Sequence, residues 1–292
     1  MAVETSSLAR SDVTAYLRSL GTALPAVERF WALGDRTALR TDATGAFYQA
    51  NYERGLLLYA LIAKYRPVSV LEFGTGRGYG CLCMAWAMVD HGIPGRIFTI
   101  DMLRGDEPFE WPIDRGDGPK VETLARDVVW RDLGVPDWLD RIETLTGWSG
   151  QIMGSWPGPS IDFAYIDAGH GFGSVRHDFY CCLDVRANRL GVLFDDYGSP
   201  DPGFGVQRLI DQEVAPCFDA DLIHTDRCWP RGDAVGRPRP EYGMVWIHTD
   251  GARAPIDQLY PREGRSAFLK KYRRHERVKA VRRRVGKILR GR

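Results

Sequence analysis

Between Val68 and Gly80 the chain reads V-S-V-L-E-F-G-T-G-R-G-Y-G, and this stretch constrains the fold more than any other. Val68, Val70, Leu71 and Phe73 form a short apolar run after Pro67, with β-branched residues in it. That is the pattern of a strand buried on both faces of a parallel sheet. An acid, Glu72, stands near its end, and four alternating glycines follow: Gly74, Gly76, Gly78 and Gly80. Cys81 to Val89, rich in Ala, Met, Leu and Trp, reads as a helix. Strand, glycine turn and helix open a nucleotide-binding βαβ unit, because glycine lets backbone N–H groups approach a ligand that a Cβ would block. A purely structural glycine turn is the plain alternative.

The dehydrogenase fingerprint G-x-G-x-x-G fails here, since its third glycine would fall on Tyr79 or Cys81. The pattern that fits is acid-x-G-x-G-x-G, from Glu72 through Gly74, Gly76 and Gly78. This resembles motif I of the class I S-adenosylmethionine (SAM) dependent methyltransferases. The resemblance implies SAM as cofactor, with Gly74, Thr75, Gly76 and Gly78 making room for its methionine and ribose parts. It also implies that Glu72 faces the cationic amino-acid end.

A length of 292 residues suits one large domain with appendages. No apolar run is long enough for a membrane span, and Met1 to Ser11 lacks a signal-peptide layout, so a cytoplasmic protein is expected. The six cysteines show no CxxC pair and no zinc spacing, and read as buried free thiols. The formal charge of +1 conceals an asymmetry: Arg265 to Arg292 holds 13 Lys/Arg and one acid, Glu276, against an acidic remainder.

Asp12 to Leu20 reads as a short helix capped by Ser11, and Ala46 to Tyr65 as a longer one stopped before Pro67. The second strand, Arg96 to Ile100, ends in Asp101, about 20 residues beyond the glycine turn, where an acid can accept hydrogen bonds from a ribose diol. Met102 to Asp140 is a long connection with a loop over Arg104 to Gly118 and a helix over Val121 to Asp132. Further strands are expected at Arg141–Thr146, Ile161–Ile166, Leu190–Phe194, Leu222–His224 and Met244–His248, the last two pairing antiparallel. Helices are expected over Ser174–Leu183 and Gly205–Glu213. The expected fold is α/β: a Rossmann-like three-layer α/β/α sandwich with a mostly parallel seven-stranded sheet and one antiparallel strand. Residues 1–45 form an N-terminal helical cap, 46–250 the methyltransferase domain, and 251–292 a linker and basic amphipathic helix.

Asp167, Asp195 and Asp196 follow the fourth and fifth strands, with His170 close behind. Three converging carboxylates without Lys or Arg would repel one another, and Mg²⁺ with oxygen ligands would remove the repulsion. Loop-solvating and helix-capping acids are the alternative. I-D-A-G-H with G-V-L-F-D-D-Y downstream resembles the metal-dependent O-methyltransferases that act on sugars of macrolide and aminocoumarin antibiotics. That resemblance spans about Phe47 to His248 and implies that Asp167, Asp195 and Asp196 hold the metal. Many relatives read I-D-G-D-H; with Gly169 here, the base role falls to His170, whose ordinary pKa suits proton uptake near neutrality. In the wider family an acid often follows the glycine after the third strand and meets adenine. Trp148 stands there instead, followed by Ser149, and either stacks on the ring or belongs to the core.

The loop from Thr225 to Tyr242, with Arg227, Trp229, Arg231, Arg237 and Arg239, is either a substrate-gripping rim or a solvated loop. Apolar residues at helical spacing from Phe268 to Ile288 make the tail a basic amphipathic helix. It suits an anionic membrane surface or docking on the acidic body of its own or a second copy; nucleic acid ranks below these, since no nucleic-acid motif accompanies it. The expected function is SAM-dependent O-methylation of a small-molecule hydroxyl, on a sugar or other secondary metabolite. The rivals are an NAD- or metal-linked enzyme of another class, a metal-free methyltransferase, and a non-catalytic binding protein recruited through its tail.

Overall fold

A computed structural model of the protein describes residues 8–199, 201, 203–225 and 242–290, with side chains as far as 279. After β1 (Ala9–Asp12), helices α1 (Val13–Leu20) and α2 (Val27–Thr37) lead to a small hairpin of β2 (Leu39–Thr41) and β3 (Phe47–Gln49). Helix α3 (Glu53–Tyr65) then feeds β4 (Ser69–Phe73), the glycine turn and α4 (Tyr79–Asp90). Strand β5 (Arg96–Asp101) is followed by a second hairpin of β6 (Pro108–Ile113) and β7 (Lys120–Ala125), then α5 (Arg126–Asp132), α6 (Pro136–Leu139) and β8 (Ile142–Thr146). Helix α7 (Ser149–Ile152), β9 (Ile161–Ile166), α8 (Phe172–Val185) and β10 (Arg186–Tyr197) come next. The chain continues through α9 (Val206–Leu209), a π-helical turn over Ile210–Val214, β11 (Phe218–His224), β12 (Gly243–Ala252), α10 (Ile256–Leu259) and α11 (Arg262–Arg290).

One sheet has the order β1-β11-β12-β10-β9-β4-β5-β8. Its pairs are parallel except those of β12, which runs antiparallel to both β10 and β11. Strand β4 lies between β5 and β9, so the chain winds outward from it in both directions. Such a reversal opens a crevice beyond the carboxyl ends of the central strands. All five residues of β4 are buried, and the two-residue period divides them. Val70 packs with α3 and α4 on one face; Leu71 and Phe73 pack with α8 on the other. Glu72 shares the face of Val70, which sends a carboxylate into the α4 side of the core.

The sheet has eight strands where seven were expected. The added one, β1, pairs parallel with β11 from Ala9↔Asp221 to Asp12↔His224. Its sequence, A-R-S-D, has no apolar alternation and three of its four residues are exposed. Main-chain hydrogen bonding at a sheet edge recruits it, and side-chain patterning does not record that. Asp12, one residue later than expected, caps α1 by accepting from Ala15 N at 2.8 Å. Residues 47–49 form β3, so the helix expected from Ala46 starts only at Glu53. The helix expected from Val121 starts at Arg126, because residues 120–125 close a hairpin onto β6. Asp114 builds its turn by accepting from the N–H groups of Gly116 and Gly118.

Helix α11 begins earlier than expected, at Arg262, and its first turns dock on the chain's own body. Leu269 is buried, and Phe268 and Tyr272 pack beside α8. Arg265, 2 % exposed, bonds Asp184 at 2.8 Å, Asp257 and the Tyr260 carbonyl. Further along the helix, Arg274, His275, Arg277, Val278 and Lys279 are exposed. No described helix is long and apolar enough to cross a membrane.

Candidate active site

The glycine turn leaves β4 at the sheet's point of reversal, and its glycines serve different ends. A Cβ on Gly74, whose φ is +95°, would lie 2.2 Å from the Asp167 carbonyl oxygen, so the turn can pass the end of β9 only as glycine. At Gly76, φ +52°, an added Cβ meets nothing within 4 Å. Here the turn opens to the crevice. Gly78 closes against Trp130, and Thr75 is anchored below by a 2.6 Å hydroxyl contact with Thr99. A backbone cradle that a side chain would obstruct suits a bound cofactor.

Glu72 lies beneath this turn, only 1 % exposed, and accepts from the Thr99 hydroxyl. Burial pushes its pKa up to about 8, while the Thr99 hydrogen bond opposes the rise. Asp101 ends β5 and faces the crevice: its carboxylate accepts from Gly76 N at 2.6 Å and Leu103 N at 2.8 Å. Arg126 completes this corner. Almost fully buried, it donates to the carbonyls of Gly76 and Leu103 and lies 3.8 Å from Asp101 Oδ2. Nothing in the motif points to Arg126; it comes from the start of α5, which sequence periodicity obscured. Gly147 N donates to the Asp101 carbonyl at 2.7 Å, setting Trp148 and Ser149 next along the same rim. Trp148 lies over His177 and near Tyr272, and Ser149 Oγ donates to Asp178.

The second group of acids stands at the ends of β9 and β10. Asp167, His170 and Asp196 can each offer a ligand atom within 4.8 Å of the others, enough for one metal ion. His170 Nδ1 lies 3.0 Å from Asp196 Oδ2, and its ring stacks on Phe204 at 4.3 Å. Burial disfavours charge on His170, but its hydrogen bond to Asp196 and the surrounding carboxylates outweigh that and raise its pKa. Asp195 does not join this cluster. It is 2 % exposed and its oxygens accept from Tyr165, Asn51, Tyr242 and the Asp196 N–H. Of the expected metal triad, then, Asp167 and Asp196 come together with His170, while Asp195 turns inward.

The expectation of acids without a cation is corrected by Arg54. From the first turn of α3, its guanidinium lies 3.7 Å from Asp167 and 3.6 Å from Asp195. Burial works against the charge, but Tyr165, Asp167 and Asp195 hold its pKa above the usual arginine value. Burial and the charge of Asp195 raise the pKa of Asp167, with Arg54 opposing. Arg54, Asn51, Tyr165 and Tyr242 were all missed; the available signal was an arginine in the first turn of a helix that is apolar from Leu56 to Ala63. Two non-glycine residues here, Asn51 (φ +48°) and Asp196 (φ +63°), adopt left-handed conformations, a strain that clusters at functional sites. Asn51 Oδ1 is buried with no hydrogen-bond partner among the described residues. The loop at residues 226–241, with the arginines considered as a rim, lies outside the described residues.

Residues 71–197 match the Methyltransf_24 family model, described as a methyltransferase domain. That segment runs from β4 to the end of β10 and contains Glu72, Asp101, Asp167, His170 and Asp196. No curated protein matches the chain. Solved structures similar to it include the O-methyltransferase TomG from Streptomyces achromogenes, involved in tomaymycin synthesis and in complex with SAM. It shows 19 % identity and a TM-score of 0.48, over 81 % of this chain and 94 % of that one. An O-methyltransferase from Bacillus cereus in complex with SAH is 18 % identical, with a TM-score of 0.47 over 80 % and 96 % of the two chains. Residues 71–197 thus match a methyltransferase domain, and they lie in a Rossmann-like, mostly parallel α/β sheet.

Proposed function

We propose that the protein transfers the methyl group of SAM to a hydroxyl oxygen of a small-molecule acceptor. The observation that carries this reading is the His170–Asp196 pair across the crevice floor from the glycine turn, whose Gly74 touches the Asp167 backbone. Asp196 holds Nδ1 of the imidazole, leaving Nε2 to take the hydroxyl proton. The acceptor oxygen forms its bond to the methyl carbon as the carbon–sulfur bond breaks, and alignment of the two supplies much of the rate. Asp101 and the open face of Gly76 fit the ribose end of the cofactor, with Trp148 and Ser149 further along the rim. The resemblance of I-D-A-G-H and G-V-L-F-D-D-Y to sugar O-methyltransferases favours a sugar or other secondary-metabolite hydroxyl.

The closeness of Asp167, His170 and Asp196 favours assistance by a divalent cation. Mg²⁺ is typically held by one or two carboxylates plus waters, and Asp167 and Asp196 would hold it here. When bound, such an ion lowers the pKa of a hydroxyl. Arg54 and the inward hydrogen bonds of Asp195 keep the rest of the cluster in place. In the test, an excess of chelator is expected to lower turnover with SAM binding intact, and Mg²⁺ to restore it. His170→Ala is expected to keep Mg²⁺ and SAM binding and lose about 10²–10⁴ in kcat. Full activity in chelator would remove the cation, and an unchanged kcat in His170→Ala would remove the base.

The tail has a separate role in this proposal: the exposed basic face of α11 meets an anionic membrane surface. Replacing Lys270, Lys271, Arg274, Arg277 and Lys279 with Gln should abolish flotation with phosphatidylserine vesicles and leave SAM binding unchanged. Retained flotation would refute this role.

A further inference from the structure

Helix α11 is joined to the loop after β8 by a continuous chain of polar contacts. Arg273 Nε, on α11, donates to His177 Nε2 at 3.4 Å. That bond makes Nε2 an acceptor and places the ring proton on Nδ1, which lies 2.8 Å from Asp178 Oδ1. The same Asp178 oxygen accepts from Ser149 Oγ at 3.0 Å. His177 and Asp178 are 0 % and 2 % exposed, so no water replaces a broken link cheaply.

A second set of contacts runs beside the first. The Trp148 ring lies 6.0 Å from His177 at 22° and 6.2 Å from Tyr272 at 36°. Tyr272 is itself pinned by a 2.7 Å hydroxyl contact with Ser174. Trp148 also crowds Gly150, where an added Cβ would lie 2.2 Å from its ring. The half-buried indole is thus flanked by α7, α8 and α11, one residue beyond the Gly147 N–H that bonds the end of β5.

We propose that α11 belongs to the cofactor site: Arg273 and Tyr272 are positioning residues that hold Trp148 and Ser149 at the adenine end of SAM. This rests on the SAM reading given under Proposed function. The physical basis is preorganisation. A tryptophan ordered before the cofactor arrives does not have to be ordered by it, and the cofactor's affinity rises accordingly. The tail then has two parts, an inner part that completes the ring end of the site and an outer basic part that the site does not need.

The test is calorimetric titration of the full-length chain with SAH and with methylthioadenosine, which keeps the adenosine but lacks the amino-acid end. Arg273→Ala should weaken both ligands by the same factor, about three- to tenfold, because the shared ring end is what it affects. Trp148→Ala should do the same, and the double variant should bind no worse than the weaker single, as expected for residues acting as one unit. Arg274→Ala, exposed on the same helix, should bind like wild type. If Arg273→Ala melts below the assay temperature, Arg273→Lys, which keeps the charge and loses the Nε donor, carries the test. Wild-type affinity in the Arg273 variant, full additivity with Trp148→Ala, or an equal loss in Arg274→Ala would overturn the proposal. A wild-type protein that binds neither ligand would instead overturn the SAM reading beneath it.

Discussion

Acids stand at both ends of the crevice, and the two ends hold them by different means. Beside the glycine turn, Asp101 accepts from two backbone N–H groups of its own corner, Gly76 and Leu103, and the nearby Arg126 is itself bonded to the carbonyls of those two residues. Glu72 is met by the Thr99 hydroxyl and the Cys81 thiol, and burial favours its neutral form. At the other end, Asp167 and Asp195 share one guanidinium, and Asp195 shares Tyr242 with Asp196. Those donors come from α3 and from the residue just before β12, far away in the chain. Acids whose donors each belong to their own corner and keep other partners can be lost singly. Acids that share a buried cation stand or fall together, because removing one partner of a buried pair leaves an uncompensated charge.

The strongest way to break this contrast is Arg54→Ala. It should cost about 3–5 kcal/mol of stability, read from urea denaturation, and Mg²⁺ should restore part of the loss by replacing the missing positive charge. A cost no greater than that of Asp101→Ala would show that the acidic end has no special dependence on its cation.

Next comes the pH response of the turn. Glu72, with its pKa raised to about 8, keeps a proton in the folded state that the unfolded chain releases above its ordinary value near 4.5. Its contribution to stability is therefore full below about pH 4.5, falls as pH rises toward 8 and is lost above it. Glu72→Gln should remove this part of the slope. It should gain up to roughly 5 kcal/mol relative to wild type between acidic and alkaline pH, an upper bound for a shift of this size. Parallel stability–pH curves for the two proteins would show that Glu72 does not keep its proton in the folded state.

The smallest effect on folding belongs to Asp101→Ala. It should cost about 1 kcal/mol of stability, since the freed N–H groups lie where water can reach them, yet weaken SAM binding about ten- to hundredfold. A large stability loss without an affinity loss would make Asp101 a structural clasp of the turn and sharpen the division differently.

The two ends also differ in how far they could be read from the chain. The turn was legible because its residues are neighbours: Glu72 to Gly80 are consecutive, and Asp101 follows one strand later at a regular distance. Asp167, Asp195 and Asp196 were legible as strand-end acids, yet their partners were not. Arg54, in the first turn of α3, pairs with acids more than a hundred positions away, a relation no local pattern records. The side chain of Asp195 was equally illegible, because a left-handed Asp196 turns the chain between two otherwise identical residues. Strand β1 was missed because backbone pairing, not apolar periodicity, holds it. In β6 the alternating Phe109, Trp111 and Ile113 do pack with Val129, but Pro108 and Pro112 within the run hid the strand.

By itself, the sequence determined the nucleotide-type βαβ opening, the parallel core built from apolar strand runs, and the acids at their ends. These follow from glycine's freedom at positive φ and from the two-residue period of buried strands, both local properties. Tertiary structure alone decided which acids share a cation, which histidine faces which carboxylate, and that the inner turns of the basic tail close over Trp148. Burial and Coulomb interaction depend on distance in space, and only folding sets those distances.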